Sequence, residues 1–222
     1  MVSGSATSRR QTPRGTLNRD RILAAAMDVV DARGLDGVTM RAVAETLDVN
    51  AMSLYRHFRD KETLLLAVLD RLLGQVELPS AELPPAEAVK EILRAHYRLL
   101  LRYPGLHLLN SGQVPIPAQL RIDEHLAAIL LGCGVGAPRA MDLLAVFGRF
   151  VLGCALCHLE LESMDSAQWV EAASQFAALP RQQYPALRQL GPLLAHRPAE
   201  DDIFEAGLAL LVAPLEGLGG RA

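Results

Sequence analysis

Apolar residues recur at helical spacing along most of this 222-residue chain, and in the first third they predict four short helices. Ile22, Leu23, Ala26, Val29 and Val30 form one stripe over residues 18–33, which Gly34 brings to a stop. Met40, Val43, Ala44 and Leu47 recur at i, i+3, i+4 and i+7, and Thr39 before them can cap the helix by accepting a free backbone N–H. The pattern breaks at Asp48, Val49 and Asn50, then resumes with Leu54 and Phe58 inward and Asn50 as a second cap. A joint of about three residues makes two helices cross steeply, so it needs a small contact residue and one that tolerates left-handed backbone. Ala44 meets the first need. Asp48 stands where glycine is usual and tolerates the geometry less well. Asp60 can cap the fourth helix, whose stripe of Leu64, Leu65, Val68, Leu69 and Leu72 runs to Gly74.

Two short helices at a tight polar joint make a helix-turn-helix, whose second helix can lie in a DNA major groove. The exposed side chains have the matching chemistry. Arg41 can fork onto guanine O6 and N7, whereas Tyr55 and Lys61 suit phosphate oxygens, contacts that position without reading sequence. Arg56 and His57 can do either. Met52 and Ser53, in the first turn of the third helix, can touch a thymine methyl or a base edge.

The remaining two-thirds predicts only helices, over residues 86–103, 106–109, 122–131, 138–161, 165–179, 184–190 and 203–218. Pro115 and Pro117 are expected in a loop, and residues 132–136 form a glycine-rich joint. No period-two strand pattern of useful length occurs. The fold class is therefore all-α: a basic, disordered arm (1–17), a helix-turn-helix domain (18–74) and a helical C-terminal domain (75–222). The helices at 141–161 and 204–218 are too apolar to face water. Ala145, Gly148, Gly153, Gly207 and Ala209 permit close approach, so these helices bury themselves either in the chain's own core or against a second copy.

Charge sharpens this division. The net charge of −3 speaks against DNA binding until it is split. Residues 1–71 hold 11 Lys and Arg against 9 Asp and Glu, and the rest hold 11 against 16. The basic excess lies with the helix-turn-helix. Arg9, Arg10, Arg14 and Arg19 lie in a Ser/Thr/Gly-rich stretch too polar to pack, either a solubilising tail or an arm for phosphates and the minor groove. Three cysteines (Cys133, Cys154, Cys157) make no disulfide framework and point to a reducing compartment. The first twenty residues lack a signal-peptide core, and no uninterrupted apolar run reaches membrane length. A cytoplasmic protein with no membrane partner is expected.

The run L-D-G-V-T-M-R-A-V-A-E-T-L-D-V-N-A-M-S-L-Y-R-H-F-R-D-K-E-T-L-L, residues 35–65, resembles the DNA-binding domain of the TetR family of transcriptional repressors. G-R-F-V-L-G-C-A-L at 148–156 and F-E-A-G-L-A-L-L-V-A-P-L-E at 204–216 are similar to the C-terminal domain of its tetracycline repressor subgroup. The resemblance implies DNA contacts at Arg41, Ala51, Met52, Ser53, Tyr55, Arg56, His57 and Lys61. It also implies a homodimer on double-stranded, palindromic operator DNA, no enzymatic activity and no cofactor. A small-molecule effector would release the operator by shifting the fourth helix, about residues 61–73. In the subgroup a histidine and a glutamate serve a magnesium–tetracycline complex. The matching positions hold Leu109, two residues from His107, and Cys157, which argues against that chelate. A mostly apolar effector is expected instead, held by Tyr97, His107, Gln113 or His158 beside Phe147, Phe150, Leu109 and Cys157. Each polar group among these has an alternative as an exposed or internally satisfied residue.

A second reading comes from Cys154-Ala-Leu-Cys157-His158, formally the C-x-x-C-H of c-type haem attachment. Helical spacing puts these donors on one face with Phe147, Phe150 and Leu161, so the run is core or pocket lining, a metal or redox site, or a haem anchor. The alternative function is therefore a Cys/His-based metal-, haem- or redox-binding helical protein. Arg149, a charge in an apolar helix, is expected to pair with Asp142 across a dimer. No Gly-rich phosphate loop or serine elbow occurs.

Overall fold

In the computed structural model, which describes residues 17–80, 82–109, 114–162, 166–194 and 199–216, every regular element among the described residues is helical. The all-α expectation holds. Residues 1–16 of the expected arm, and Gln113, lie outside the described residues. The chain divides into two compact units, Met1–Val68 and Leu69–Ala222.

The first unit is built on caps supplied within three residues of each helix start. In α1 (Arg19–Arg33) Asn18 Oδ1 accepts the N–H of Arg21 at 2.9 Å, and in α2 (Met40–Leu47) Thr39 Oγ1 accepts that of Ala42 at 3.0 Å. Asn50 Oδ1 does the same for Met52, at 2.9 Å, in the short α3 (Ala51–Leu54). Asp60 Oδ1 accepts both the N–H and the hydroxyl of Thr63, at 2.8 and 2.7 Å, where α4 (Lys61–Leu73) begins. Each bond satisfies a donor that the helix itself cannot. Asp48, at φ 53 and ψ 47, takes the left-handed turn that the short joint demands. Ile22, Ala26, Val38, Val43, Leu54, Phe58, Leu64 and Val68 are buried and form this unit's core. Ala25 is buried whereas Leu23, expected inward, is only half-buried.

One expectation about Arg19 fails. Grouped with Arg9, Arg10 and Arg14 in a stretch too polar to pack, it instead opens α1, within the helix expected over 18–33, and lays its guanidinium over the ring of Phe58.

In the second unit α5 (Pro85–Arg102) packs against α6 (Pro117–Gly132), α7 (Ala137–Glu162) and α10 (Glu200–Glu216), while α8 (Ser166–Ala177) and α9 (Pro185–Leu194) pack on each other. Arg94 of α5 grips Glu205 of α10 with two bonds, Nε to Oε1 at 2.7 Å and Nη2 to Oε2 at 2.6 Å. That guanidinium holds the Glu205 carboxyl below the usual carboxylate range. Gly207 of α10 leaves room for the ring of Phe150: a Cβ there would sit 2.6 Å from Phe150 Cε2. A single 3-10 turn, Leu106–Leu108, follows α5.

Helix α6 begins five residues before the expected 122. Pro117 occupies its first turn, where a missing N–H costs nothing and the fixed φ is already helical. The cap comes from far away in sequence, Asp70 Oδ1 accepting the N–H of Ala118 at 2.8 Å. Arg121 Nη2 also donates to the carbonyl of Val76 at 2.9 Å.

By length and composition, Ala137–Leu161 of α7 is apolar enough to cross a membrane, the one such helix among the described residues. Scanning for uninterrupted runs misses it because Arg139, Asp142 and Arg149 break the sequence. Its Met141 is 68% exposed, and Leu210 on α10 is 78% exposed.

Candidate nucleic-acid interface and ligand cavity

The recognition segment rests on two buried anchors, Leu54 and Phe58. Regular helix covers only Ala51–Leu54; Tyr55, Arg56 and His57 continue as a turn, in which the N–H groups of His57 and Phe58 both reach the carbonyl of Leu54 at 2.9 Å. Anchoring one side leaves the other in water. Met52 is 69% and Tyr55 45% exposed, with Arg56 also exposed. Ala51, Ser53 and His57 are half-buried.

Arg41 is exposed on α2, and its Nε meets Glu45 Oε1 at 2.9 Å, one turn along the helix. Such a pair in water contributes little, so the Arg41 guanidinium is freed from Glu45 at small cost. Lys61 is exposed at the start of α4. Beside it the N–H and then the hydroxyl of Thr63, followed by Arg59, lower the Asp60 carboxyl to about 2. The carboxylate is thereby held ionised as a cap.

The second unit contains a cavity of about 300 Å³. Three helices each give it a pair of residues one turn apart: Leu69 and Leu73 of α4, His96 and Leu100 of α5, Gly148 and Leu152 of α7. Leu106, His107, Ile116 and Gln119 complete the wall. Among the described residues no lining side chain is a carboxylate, lysine or arginine. Burial pushes the His96 imidazole below its ordinary value, which favours the neutral ring. Gln119 donates its amide to Asp123 Oδ1 at 2.8 Å, and burial nonetheless holds the Asp123 carboxyl above the usual range. Its described residues thus offer apolar walls with two imidazoles and one carboxamide, a surface for an uncharged molecule with a few hydrogen-bonding groups.

Of the side chains expected around an effector, the structure places His107 in this wall. Tyr97, Phe150 and His158 gather elsewhere, around Phe204 of α10. The Tyr97 hydroxyl lies 2.7 Å from His158 Nδ1, its ring stacks on Phe204 at 3.9 Å between centroids, and Phe150 stacks on the same ring at 5.4 Å. Phe147 is buried, Leu109 is half-buried and Cys157 is exposed. His96, Gln119 and the Leu69–Leu73 pair are not among the side chains expected around an effector, and the i, i+4 spacing of His96 with Leu100 is the sequence signal that marks this face.

The C-x-x-C-H run lies in the second half of α7. Cys157 faces solvent, Cys154 is half-buried with its thiol pushed up by burial, and His158 turns to Tyr97. Among the described residues no group of three or more His, Cys, Asp or Glu side chains is placed to hold a metal ion. The Cys/His alternative gains no support from this arrangement.

Comparison with known proteins agrees with both units. Residues 22–68 match the bacterial regulatory proteins of the tetR family, and residues 78–218 match the tetracyclin repressor-like C-terminal domain. The HTH-type transcriptional repressor DrrR1 of Streptomyces coeruleorubidus is 32% identical over 160 residues, 69% of this chain and 58% of that protein. The chain therefore spans less than two-thirds of that relative's length. Tetracycline repressor protein class A from transposon 1721 of Escherichia coli is 29% identical over 213 residues, 92% of each chain. The crystal structure of the Streptomyces coelicolor TetR family protein ActR in complex with actinorhodin superposes with a TM-score of 0.78 at 29% identity, covering 93% of this chain and 98% of that one. Its C-terminal match alone spans more than half of the sequence, so the chain belongs to the tetR family of bacterial regulatory proteins and is a DNA-binding transcription regulator rather than an enzyme.

Proposed function

We propose that the protein is a homodimeric repressor that holds a palindromic operator until a small, uncharged and mostly apolar effector enters the cavity. The carrying observation is the cavity itself: about 300 Å³, apolar-walled, without a charged lining side chain among the described residues, and with Leu69 and Leu73 of α4 in its wall. α4 runs unbroken from Lys61 to Leu73, so a ligand that displaces Leu69 and Leu73 acts on the helix that follows the recognition turn. Such a ligand shifts the equilibrium only as far as it prefers the DNA-incompetent arrangement. The relative ActR, solved with actinorhodin, supports a small-molecule effector here.

The domain limits we assign are 18–74 for DNA binding and 75–222 for effector binding and dimerisation, in the cytoplasm, where the DNA is. Arg41, Ala51, Met52, Ser53, Tyr55, Arg56, His57 and Lys61 form the DNA face. Met141, Val146 and Leu156 of α7 with Leu210 of α10 leave an apolar surface that a second copy covers. In the free chain Arg149 Nη1 bonds the carbonyl of Ala145 in its own helix at 3.0 Å; in the dimer it meets Asp142 of the second copy.

Selection from random-sequence duplexes tests the first half. The wild-type chain is expected to enrich an inverted repeat, and Arg41→Ala with Tyr55→Ala to lose it while keeping the helical circular dichroism. Enrichment with no repeat, at an affinity that tracks salt alone, rejects specific repression. The second half is tested by thermal-shift screening of uncharged aromatic compounds, followed by release of the selected duplex. A compound that raises the melting temperature in wild type but not in Leu100→Trp occupies the cavity.

A further inference from the structure

Arg19 is the first residue of α1, yet its side chain belongs to the far end of the recognition segment. Nη1 donates to the backbone carbonyl of His57, 38 residues away, and Cζ stands 4.1 Å over the centroid of Phe58. Both partners close the turn that continues α3. His57 lies beyond the last helical residue, Leu54, so no N–H within α3 reaches its carbonyl, and here a guanidinium takes it. The Phe58 ring is buried in the core of the first unit, so the planar cation lies on a fixed surface. The recognition segment is also secured by Leu54, by the cap at Asn50 and by packing of α3 on α2. Its regular part is only four residues long, too short to hold its own direction.

We propose that Arg19 is a positioning residue of the DNA-reading head: it fixes the end of the recognition segment relative to α1 and does not act as a phosphate contact. One guanidinium does two jobs that no other cation matches. A lysine can keep the charge but lacks the plane that lies on Phe58 while donating to His57. This inference is independent of the effector and needs only that the chain binds DNA.

The salt dependence of binding separates the two roles, because each lost phosphate contact lowers the slope of log affinity against log salt by about one. With a duplex enriched by the wild-type chain, Arg19→Ala is expected to weaken binding roughly five- to tenfold with the slope unchanged. Arg19→Lys is expected to stay close to Arg19→Ala. Amide hydrogen exchange on the DNA-free protein gives a second readout: Arg19→Ala accelerates exchange at His57, Phe58 and Arg59, while α1 keeps its protection. A slope reduced by one, with Arg19→Lys restoring affinity, overturns the proposal in favour of a phosphate contact. Unchanged exchange at His57–Arg59 also overturns it. If the wild-type chain enriches no duplex, the operator reading fails, and the exchange measurement alone decides the role of Arg19.

Discussion

Asp70 on α4 accepts the backbone N–H of Ala118 at 2.8 Å and thereby caps a helix that begins 47 residues further along the chain. Its neighbours Leu69 and Leu73 line the cavity, as do Ile116 and Gln119 on either side of Ala118 in sequence. A local cap was not available, because Ile116 precedes Pro117 and has no side-chain acceptor. Asp70→Ala should lower the unfolding free energy by about 1 kcal/mol, within the range for lost N-caps. Urea denaturation measures this. An unchanged midpoint would mean that the Ala118 N–H is as well served by water.

Asp48 gives a prediction of opposite sign. Its left-handed backbone costs an ordinary residue about 1 kcal/mol, which glycine does not incur. Asp48→Gly should therefore stabilise the first unit by roughly 0.5–1 kcal/mol, and Asp48→Val should destabilise it, in thermal melts followed by circular dichroism. If glycine lowers the melting temperature, Asp48 makes a compensating interaction outside the joint.

Gly207 is held small by a neighbour. An added Cβ would meet Phe150 Cε2 and Cζ at 2.6 and 2.8 Å, and that ring is itself stacked on Phe204. Gly207→Ala should cost about 1–3 kcal/mol, the usual range for overpacking. Phe150→Leu should remove much of that penalty in a double-mutant cycle. Additive losses would show that the two positions do not touch.

His96 makes stability depend on pH. Burial lowers its folded-state pKa below the ordinary 6.5, so on acidification the unfolded chain takes up the proton first. The contribution is complete above about pH 6.5 and declines as pH falls below that value toward the folded-state pKa. His96→Leu should flatten this part of the stability curve relative to wild type. Parallel curves for the two proteins between pH 7 and 5 would be evidence against a buried neutral imidazole.

What could be read from sequence follows the range of the interactions. Thr39, Asn50 and Asp60 act on donors two or three residues away, so periodicity and residue type suffice to find them. Asp48 was legible for the same reason. Arg19 and Asp70 act over 38 and 48 residues, and nothing local distinguishes them from solvated charges. The cavity is harder still. Its wall is the set of faces left over when α4, α5 and α7 meet, and Tyr97 and His158 are absent from it because they satisfy each other beside Phe204. The early start of α6 was hidden by Pro117, which signals a loop and a helix start equally well.

The apolar surface of α7 has a consequence for gene dosage. If a second copy covers that surface, folding is bimolecular, and the folded fraction rises with the number of molecules in the cell. A newly made repressor is then most vulnerable to proteolysis when scarce and gains durability as it accumulates. Repression would set in over a narrower range of expression than independent monomers could give. Melting temperatures that rise with protein concentration are the signature to seek.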